Sequence, residues 1–405
     1  MRALIVDPSD GRASLAGLRA LAAAGWTVGI GSPRRRTLAG SSRWCAAWDP
    51  VPALDAGEDE FVGAINRAVN TRGYELVFAT SDGEVLGLSR LRDGLAAQVP
   101  YAPDDRVVRA LDKLALGSAA ETAGLATPAT AVAGTEDAAR LAERPVVIKE
   151  RVHGALAAAG GPARVEAKVC RTPAEAGAWV ARLGAGPAGG QALVQELLSG
   201  SLVAFSVVTD REAGVLCRLQ QRAERTWPAT AGCSVRARTV PIDEALAARV
   251  SALMRELQWF GLAQLQFIDT GEGQPRLIDF NGRFYGSLSL ALAAGVNLPA
   301  TWAALATGTP AERADARPGV RYHYLEGDLQ VARSERRGGL LRDVGGCLRY
   351  ALGAQHSILS LRDPGPGLRG ASMLAGEAGQ AARRRLHRRR PRVVGGTARQ
   401  APDKG

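Results

Sequence analysis

The sequence predicts an α/β domain with a parallel sheet, followed by an α+β domain. Over residues 1–100, apolar strand patterns alternate with helical patterns, which is the rhythm of a parallel sheet. From residue 101 onward, short strands follow one another through Gly-rich turns, as they do in antiparallel sheets. The chain has 405 residues, 46% of them hydrophobic and 22% charged, which is enough for two or three globular domains.

The first domain opens with the segments "RALIV", "ASLAGLRALAAAG", "TVGIGS" and "YELVFA", which predict strand, helix, strand and a further strand. Polar Thr80, Ser81, Asp82 and Glu84 follow the last strand. Open α/β sheets bind ligands just beyond the carboxyl ends of their strands, so we predict that Asp82 binds substrate. The alternative is that Ser81 or Asp82 only caps the next helix.

The second domain begins with a predicted helix over residues 104–123 that contains Lys113. "RPVVIK" then predicts a buried strand ending at Lys149, and a glycine-containing loop follows it. "QALVQELLSG" predicts another strand, with Gln195 and Glu196 at its end. Lysine is seldom fully buried without a partner, so Lys149 at the end of an apolar strand indicates a functional position.

A β-hairpin is predicted where two apolar runs flank a Gly-rich turn, in "LAQLQFIDTGEGQPRLIDFNGRF". If "GEGQ" forms a four-residue loop, Thr270 faces Pro275, and the pairing brings Gln266 opposite Asp279. Opposite partners show the same face of the sheet, with Cβ atoms roughly 4.5 to 5.5 Å apart.

The second strand of this hairpin carries polar groups at every second position. Alternation predicts that Leu277, Asp279, Asn281 and Arg283 share one face. Oxygen atoms of Gln266, Asp279 and Asn281 would then surround one point, a donor set that suits an Mg²⁺ ion shared with substrate phosphates. The alternative is a local salt bridge on an exposed hairpin.

In their order and spacing, these segments resemble the ATP-grasp enzymes. The resemblance is carried by Lys113 in a "DK" helix before "GLATP", Lys149 ending "VVIK", the "VQELLSG" joint and the terminal "DFNGR". It is nearest to a single unit of the carbamoyl phosphate synthetase large chain, which also has a Gln before its acidic-x-Asn-x-Arg strand. The resemblance implies an α/β pre-ATP-grasp domain at 1–100 and a two-lobed α+β ATP-grasp domain at 101–310. A C-terminal extension at 311–380 and a basic disordered tail at 381–405 would follow.

The resemblance also implies ATP and Mg²⁺ as cofactors, and a role for each motif. Phosphates would be held by Lys113, Lys149 and the glycine loop with Gly160 and Gly161, adenine by Gln195, Glu196, Leu197 and Leu198, and the metal by Gln266, Asp279 and Asn281. Arg283 would be the catalytic residue that steadies an acyl phosphate. No acid stands in "GSLVAF", where the family places a ribose ligand, and Gly282 replaces the usual proline.

The implied reaction is that of an ATP-dependent carboxylate–amine ligase. Carboxyphosphate chemistry like that of carbamoyl phosphate synthetase, or a nucleotide-binding module without turnover, stays open as an alternative. For substrate binding we predict Asp82, together with Arg236 from an Arg-dense segment and with Tyr285 and Ser287 just past the "DFNGR" motif. Ser287 could equally be only a helix cap.

Charge and composition restrict the partners. Of the net charge of +11, residues 381–405 carry +8, so contact with nucleic acid or an anionic surface is expected only through that tail. Five cysteines without CxxC spacing argue against a disulfide framework or a zinc site. No signal peptide or membrane span is indicated, so we expect a cytoplasmic enzyme with small-molecule substrates and keep a homodimer open.

Overall fold

The protein is described by a computed structural model over residues 1–152, 167–184, 191–228 and 232–373. Within these ranges the strands form three sheets: a parallel sheet near the N-terminus, a small antiparallel sheet and a large mixed sheet. The predicted fold class is confirmed. The predicted glycine loop and the basic tail lie outside the described residues.

The N-terminal unit is a parallel sheet flanked by helices. Its elements are β1 (Arg2–Val6), α1 (Arg12–Ala23), β2 (Thr27–Ser32), β3 (Cys45–Pro50), α2 (Glu58–Arg72), β4 (Leu76–Ala79) and α3 (Asp82–Arg90). The strand order is β3-β2-β1-β4, so the chain adds β2 and β3 on one side of β1 and then returns to place β4 on the other side. The carboxyl ends of β1 and β4 therefore form a topological switch point, where α/β sheets commonly bind ligands. Edge strand β3 was not predicted, because "CAAWDP" is only partly buried and lacks an apolar alternation.

The small sheet belongs to a lobe with its own core. Its elements are α4 (Asp104–Leu111), α5 (Lys113–Thr122), β5 (Thr130–Val132), α6 (Glu136–Ala142), β6 (Val146–Glu150), β7 (Lys168–Cys170), α7 (Pro173–Gly184) and β8 (Ala192–Glu196). The strands pair in the order β5-β8-β6-β7. Side chains of β6 and β8 such as Val146, Ile148 and Val194 pack with α7, in a cluster separate from the main core.

The large sheet is built from β9 (Ser201–Thr209), β10 (Val215–Trp227), β11 (Cys233–Val240), β12 (Gly261–Asp269), β13 (Arg276–Asn281), β14 (Ala314–Asp315), β15 (Arg321–His323) and β16 (Gln355–His356). Its order is β13-β12-β9-β10-β11-β15-β16, with β14 beside β10. The helices of this part are α8 (Glu244–Leu257), α9 (Ser289–Ala293), α10 (Leu298–Ala306), α11 (Leu325–Glu335) and α12 (Leu340–Ala351).

Aromatic packing holds the N-terminal sheet against the hairpin of β12 and β13. Phe284, just past β13, stacks on Phe78 of β4 with ring centroids 5.2 Å apart, and Trp302 of α10 packs edge-on against both. All three rings are fully buried in the cluster that also contains the core of the large sheet. This contact fixes the switch point of the N-terminal sheet next to the polar end of β13.

The segment after residue 311 packs on the large sheet through buried charges. Arg225 of β10 binds Asp328 of α11 at 3.1 Å and Asp343 of α12 at 2.8 Å. Both aspartates are buried, so the two helices are fixed to the sheet by paired ions. Within the described ranges, no helix is both long and apolar enough to span a bilayer. The domain boundaries stay predictions.

Candidate functional site

The hairpin brings together the two residues that counting back from the turn predicted. Gln266 of β12 pairs with Asp279 of β13, and Gln264 pairs with Asn281, so these four side chains share one face of the sheet. Near the turn the register shifts, and Ile268 pairs with Arg276. The predicted pairing of Thr270 with Pro275 is therefore wrong.

The shift is a β-bulge at Ile278, and it corrects the predicted face of one residue. Leu277 pairs with Phe267, a core residue, so Leu277 lies on the apolar face with Phe280 and not on the face of Asp279. A bulge inserts one unpaired residue and re-aims its neighbours, which a strict alternation cannot anticipate. The polar face thus begins at Asp279.

The bulge also provides the hydrogen-bond acceptor for Lys149. The Lys149 side chain is 7% exposed, and its Nζ donates to the carbonyl oxygen of Ile278 at 3.1 Å. Burial, and then the nearby charge of Lys113, lower the pKa of Lys149 to about 7, while Asp279 opposes this shift. Because the ammonium is held by a carbonyl and not by a carboxylate, it can still be neutralised by an anion.

The single helix predicted over residues 104–123 is wrong, because it consists of two helices, and Lys113 is the first residue of the second. Asp112 has an extended backbone, which separates α4 from α5, and its carboxylate accepts from the backbone N–H of Leu114 at 2.9 Å. The same carboxylate binds Arg151, just past β6, at 2.8 Å. Asp112 therefore anchors the positive end of α5 beside the strand of Lys149. An Asp before a helical pattern is a start signal that the sequence did contain.

Both lysines line a cleft between the small lobe and the hairpin, which we call the lysine cleft. It has a volume of about 710 Å³ and is bounded by α5, residues 125–130, the ends of β6 and β8 and the start of β13. A cleft of this size is typical of sites for small molecules and cofactors. Its walls combine apolar groups with the two ammonium groups.

Of the four residues predicted to bind adenine, two line the cleft and two lie outside its described lining. Gln195 and Glu196 line the cleft; Gln195 donates to Thr130 at 2.8 Å, and Glu196 accepts from Arg276 at 2.9 Å. Leu197 and Leu198 are half-buried in the linker after β8, beyond the described lining. Gly160 and Gly161, predicted for the phosphates, lie outside the described residues.

The polar face of the hairpin can hold a hard metal ion. Among the described residues, Asp279 makes no hydrogen bond or ion pair, so both of its oxygens are available as ligands. Gln266 uses only its amide nitrogen, which donates weakly to Gln264 at 3.5 Å. The Asn281 oxygen already accepts from Arg283 at 2.9 Å and has one lone pair left. The set therefore fits Mg²⁺, which takes few protein oxygens and completes its shell with phosphates and water.

Arg283 and Asp82, predicted for separate roles, bind each other. Arg283 donates from Nε to one Asp82 oxygen at 2.6 Å and from Nη2 to the other at 3.2 Å. Its Nη1 donates to the carbonyl of Phe284 at 3.2 Å. The arginine therefore joins the start of α3 to the metal-facing strand and orients Asn281. Its predicted contact with an acyl phosphate stays a prediction, as does the substrate contact of Asp82. Ser81 caps α3, as one of the two alternatives for this segment predicts.

Two further buried acids surround this ion pair at the switch point. Asp7 follows β1, and its carboxylate accepts from Ser14 and Thr80. Burial raises the pKa of Asp7. Burial, reinforced by the charges of Asp7 and Asp82, also raises the pKa of Glu84 to about 7. Sequence reasoning placed Glu84 among the polar residues after the strand but selected only Asp82 as a site residue, and it did not mention Asp7.

The remaining residues predicted to bind substrate are buried or make contacts with other side chains of the protein. Arg236 donates to Asp328 at 2.8 Å, and its guanidinium lies 4.8 Å from the centre of the Tyr350 ring. Tyr285 is buried, and burial raises its pKa. Ser287 accepts from Gln221 at 3.1 Å and does not cap α9, which starts two residues later. Substrate contacts by these residues stay predictions.

Comparison with known proteins agrees with this geometry. Residues 191–328 match the model of a family described as ATP-grasp in the biosynthetic pathway with Ter operon. A search of curated protein sequences finds no match to this chain.

Solved structures with a similar fold have low sequence identity to this chain. The biotin carboxylase domain of 2-oxoglutarate carboxylase from Hydrogenobacter thermophilus, a dimer in complex with MgADP, ADP and bicarbonate, has a TM-score of 0.61 and 14% identity, and the match covers 79% of this chain and 73% of that one. N5-carboxyaminoimidazole synthetase from Staphylococcus aureus, complexed with ADP, has a TM-score of 0.61 and 11% identity over 83% and 86% of the two chains.

A third similar structure is L-amino acid ligase from Bacillus licheniformis, with a TM-score of 0.58 and 14% identity over 77% of this chain and 75% of that one. At such identities the likeness is one of fold. The fold, together with the match over residues 191–328, confirms the predicted resemblance to ATP-grasp enzymes.

Proposed function

Since the chain has the ATP-grasp fold, we propose that it is an ATP-dependent, ADP-forming ligase that joins a carboxylic acid to an amine through an acyl phosphate. The observation that carries the proposal is Lys149, a buried ammonium without a carboxylate partner among the described residues, in a cleft lined by Ile278, the residue before Asp279. A buried cation next to a free acid is what a magnesium–triphosphate ligand requires from a protein. Known structures of this fold that were crystallised with ADP support the choice of nucleotide.

In the proposed complex, Lys113 and Lys149 bind the phosphates of ATP as point charges. Gln195 and Glu196 stand on the adenine side of the cleft, with Leu197 and Leu198 next to them. Bound Mg²⁺, held by Gln266, Asp279 and the free lone pair of Asn281, would neutralise charge on the phosphate oxygens. Arg283, fixed by Asp82, keeps Asn281 in place for this task.

The reaction balances as two displacements. A carboxylate oxygen of the acid attacks the γ-phosphorus of ATP, the bond from phosphorus to the bridging oxygen breaks, and ADP leaves. The amine then attacks the acyl carbon, the bond from carbon to the phosphate oxygen breaks, phosphate leaves, and the amine gives one proton to water. Fixed positive groups around the phosphates lower the barrier of the first displacement, since they need no reorganisation.

A second candidate function uses bicarbonate as the acid. The bicarbonate bound in the similar carboxylase-domain structure favours this candidate. In that case carboxyphosphate forms and the amine becomes a carbamate.

Because the same carboxylase domain is a dimer in its crystal structure, a homodimer remains part of the proposal. We also keep the cytoplasm as the proposed location of the enzyme.

The test is ADP release with ATP and Mg²⁺ and pooled small carboxylic acids and amines, with bicarbonate and amines in a parallel reaction. A ligase releases ADP only when its acid, and usually its amine, is present. Asp279→Asn serves as the control and should abolish release in every pool. If no acid stimulates release although ATP binds, the chain is a nucleotide-binding module and the ligase proposal fails.

A further inference from the structure

A second, smaller cavity lies on the polar face of the large sheet, and we call it the Arg12 pocket. Its polar lining comes from Arg12, Gln221, Ser234, Gln264, Gln266 and Ser287, and its volume is about 50 Å³. The strand pairing gives the position of this pocket relative to the proposed metal site. Gln266 pairs with Ala204 on the neighbouring strand, and Ala204 pairs with Gln221 on the next one. Two strand spacings separate Gln221 from Gln266, so the pocket extends about 10 Å from the metal-facing residues.

The pocket is positively charged. The described residues that line it include one arginine and no aspartate or glutamate. The Arg12 guanidinium is half-buried, donates to the Tyr322 hydroxyl at 2.8 Å and lies 3.6 Å from the centre of the Tyr324 ring. Neither tyrosine neutralises its charge. Within the described ranges Arg12 forms no ion pair, although buried charges are normally paired.

The arginines of β10, β11 and β13 differ from Arg12 in this respect, because each has a carboxylate partner. Arg222 pairs with Asp269, Arg225 and Arg236 with Asp328, and Arg276 with Glu196, and Arg283 just past β13 pairs with Asp82. The residue that the family resemblance suggested for anion binding, Arg283, is therefore already neutralised. Among the described arginines that line the pocket or lie on β10, β11 and β13, Arg12 is the one without a carboxylate partner, so its charge is left for a ligand.

The neutral groups of the pocket complete a site for a carboxylate. Ser287 accepts from the amide of Gln221 at 3.1 Å and from that of Gln264 at 3.4 Å, so a preformed amide and hydroxyl network lines the same cavity as Arg12. A guanidinium with adjoining amide donors is well suited to bind a carboxylate. The volume of about 50 Å³ admits roughly three to five water-sized groups, enough for a carboxylate with one or two further atoms.

We propose that the Arg12 pocket binds a carboxylate group of the acid substrate, and that Arg12 is the residue that recognises it. The inference rests on the proposed function for the statement that this ligand is a substrate. The pocket's preference for carboxylates over neutral amides can be tested without it. The substrate class that follows is a compact carboxylic acid, because the cavity has no room for a bulky group next to Arg12.

Cys233 provides a probe of the pocket. Its thiol is exposed, lines the same cavity and lies 3.5 Å from Nη2 of Arg12. Iodoacetate and iodoacetamide both alkylate a thiolate, forming a sulfur–carbon bond and releasing iodide, but only iodoacetate carries a carboxylate. Dividing the two rate constants cancels any effect of the protein on the thiol itself.

The experiment measures both rates at Cys233 by mass spectrometry of the full chain, without ATP, relative to the same ratio for a small free thiol. We expect the ratio at Cys233 to exceed the free-thiol value by about tenfold and iodoacetate labelling to saturate with concentration. Acetate should protect Cys233 from iodoacetamide, and acetamide should not. In Arg12→Gln the ratio should fall to the free-thiol value.

Arg238→Gln is the matched control, because Arg238 lies on the same strand as Cys233 but pairs with Glu224. It should leave the ratio unchanged. A ratio equal to that of the free thiol, absence of protection by acetate, or an elevated ratio that persists in Arg12→Gln would each overturn the proposal. If Arg12→Gln does not fold, the wild-type chain decides the question, because acetate should protect Cys233 from iodoacetamide and acetamide should not.

The two proposals fail separately. Selective alkylation of Cys233 without acid-dependent ADP release would leave the carboxylate pocket standing and remove the ligase assignment. Acid-dependent ADP release with unselective alkylation would do the reverse. When both succeed, Arg12→Gln should raise the KM for the acid and leave the affinity for ATP unchanged.

Discussion

Replacing Lys149 by Met tests the buried ammonium through protein stability, independently of any reaction. Burial and the charge of Lys113 lower the pKa of Lys149 from 10.5 to about 7 in the folded chain. In the unfolded chain the lysine is exposed to water and regains its ordinary pKa. Folding therefore favours the loss of this proton, which makes the free energy of unfolding depend on pH.

The sign and size follow from proton counting. Below about pH 7 both states of the chain carry the proton, and the full cost of burying the charge opposes folding. Above it the unfolded state holds one proton more, so stability rises by about 1.4 kcal/mol per pH unit until the unfolded pKa is reached. Met has no proton to lose. Lys149→Met should therefore be more stable than the wild type near pH 7, and its advantage should shrink by about 2 kcal/mol by about pH 9.

The assay is urea unfolding followed by tryptophan fluorescence, for both chains, at three pH values between about 7 and 9. Lys168→Met is the matched control, since Lys168 is an exposed lysine on the neighbouring strand β7. The control should differ from the wild type by the same amount at every pH. A difference between wild type and Lys149→Met that does not change with pH would refute the buried, uncompensated ammonium.

Three further outcomes are expected from unfolding experiments. Asp82→Asn should lower the free energy of unfolding by about 3 kcal/mol, because Arg283 loses a buried partner; a loss below about 1 kcal/mol would mean that the pair acts like a surface ion pair. Burial raises the pKa of Asp328, but hydrogen bonds from His323 and Arg236 outweigh it and lower the pKa to about 2. Its contribution should be lost as pH falls from about 4 to about 2, and Asp328→Asn should flatten acid unfolding curves over that window; curves of unchanged steepness would contradict the pairing. Gly282→Ala should cost about 1 to 3 kcal/mol, since a Cβ there would lie 2.3 Å from the Trp259 ring, and unchanged urea unfolding would disprove the close contact.

The sequence was sufficient for the parts of the site that depend on local pattern. Apolar alternation and Gly-rich turns located β1, α1, β2 and the hairpin, and counting from the turn paired Gln266 with Asp279. The predicted pairing of Gln266 with Asp279 is confirmed although the predicted register next to the turn is wrong. The connection between the strands is longer than predicted, and the extra residue of the bulge, Ile278, compensates for this difference. Lys149 was found because an ammonium at the end of an apolar strand is rare enough to need a reason.

The remainder depends on contacts between distant segments. Arg283 and Asp82 are 201 residues apart, and they meet because Phe284, Phe78 and Trp302 pack the N-terminal sheet on the hairpin. No local pattern encodes that contact. Arg12 was missed for a similar reason, since an arginine in the first turn of a helix is ordinary until its neighbours are known. Arg12 stands out because none of the described residues that line its pocket is an aspartate or a glutamate.

The close packing around Gly282 explains a departure from the expected motif. The family resemblance predicts proline at this position, and the chain has glycine. The Trp259 ring occupies the space that a side chain at residue 282 would need, so the close packing of α8 and its C-terminal turn against β13 requires glycine there. A motif comparison could report the substitution but could not supply its cause.

The most direct measurement of the central claim is calorimetric titration of ATP into the wild type, Asp279→Asn and Lys149→Met, each with and without Mg²⁺. If the lysine cleft and the hairpin together form a magnesium–nucleotide site, Mg²⁺ strengthens ATP binding in the wild type and no longer does so in Asp279→Asn. Lys149→Met should weaken ATP binding under both conditions. Equal ATP affinities in all three proteins, or a full Mg²⁺ effect in Asp279→Asn, would contradict the account.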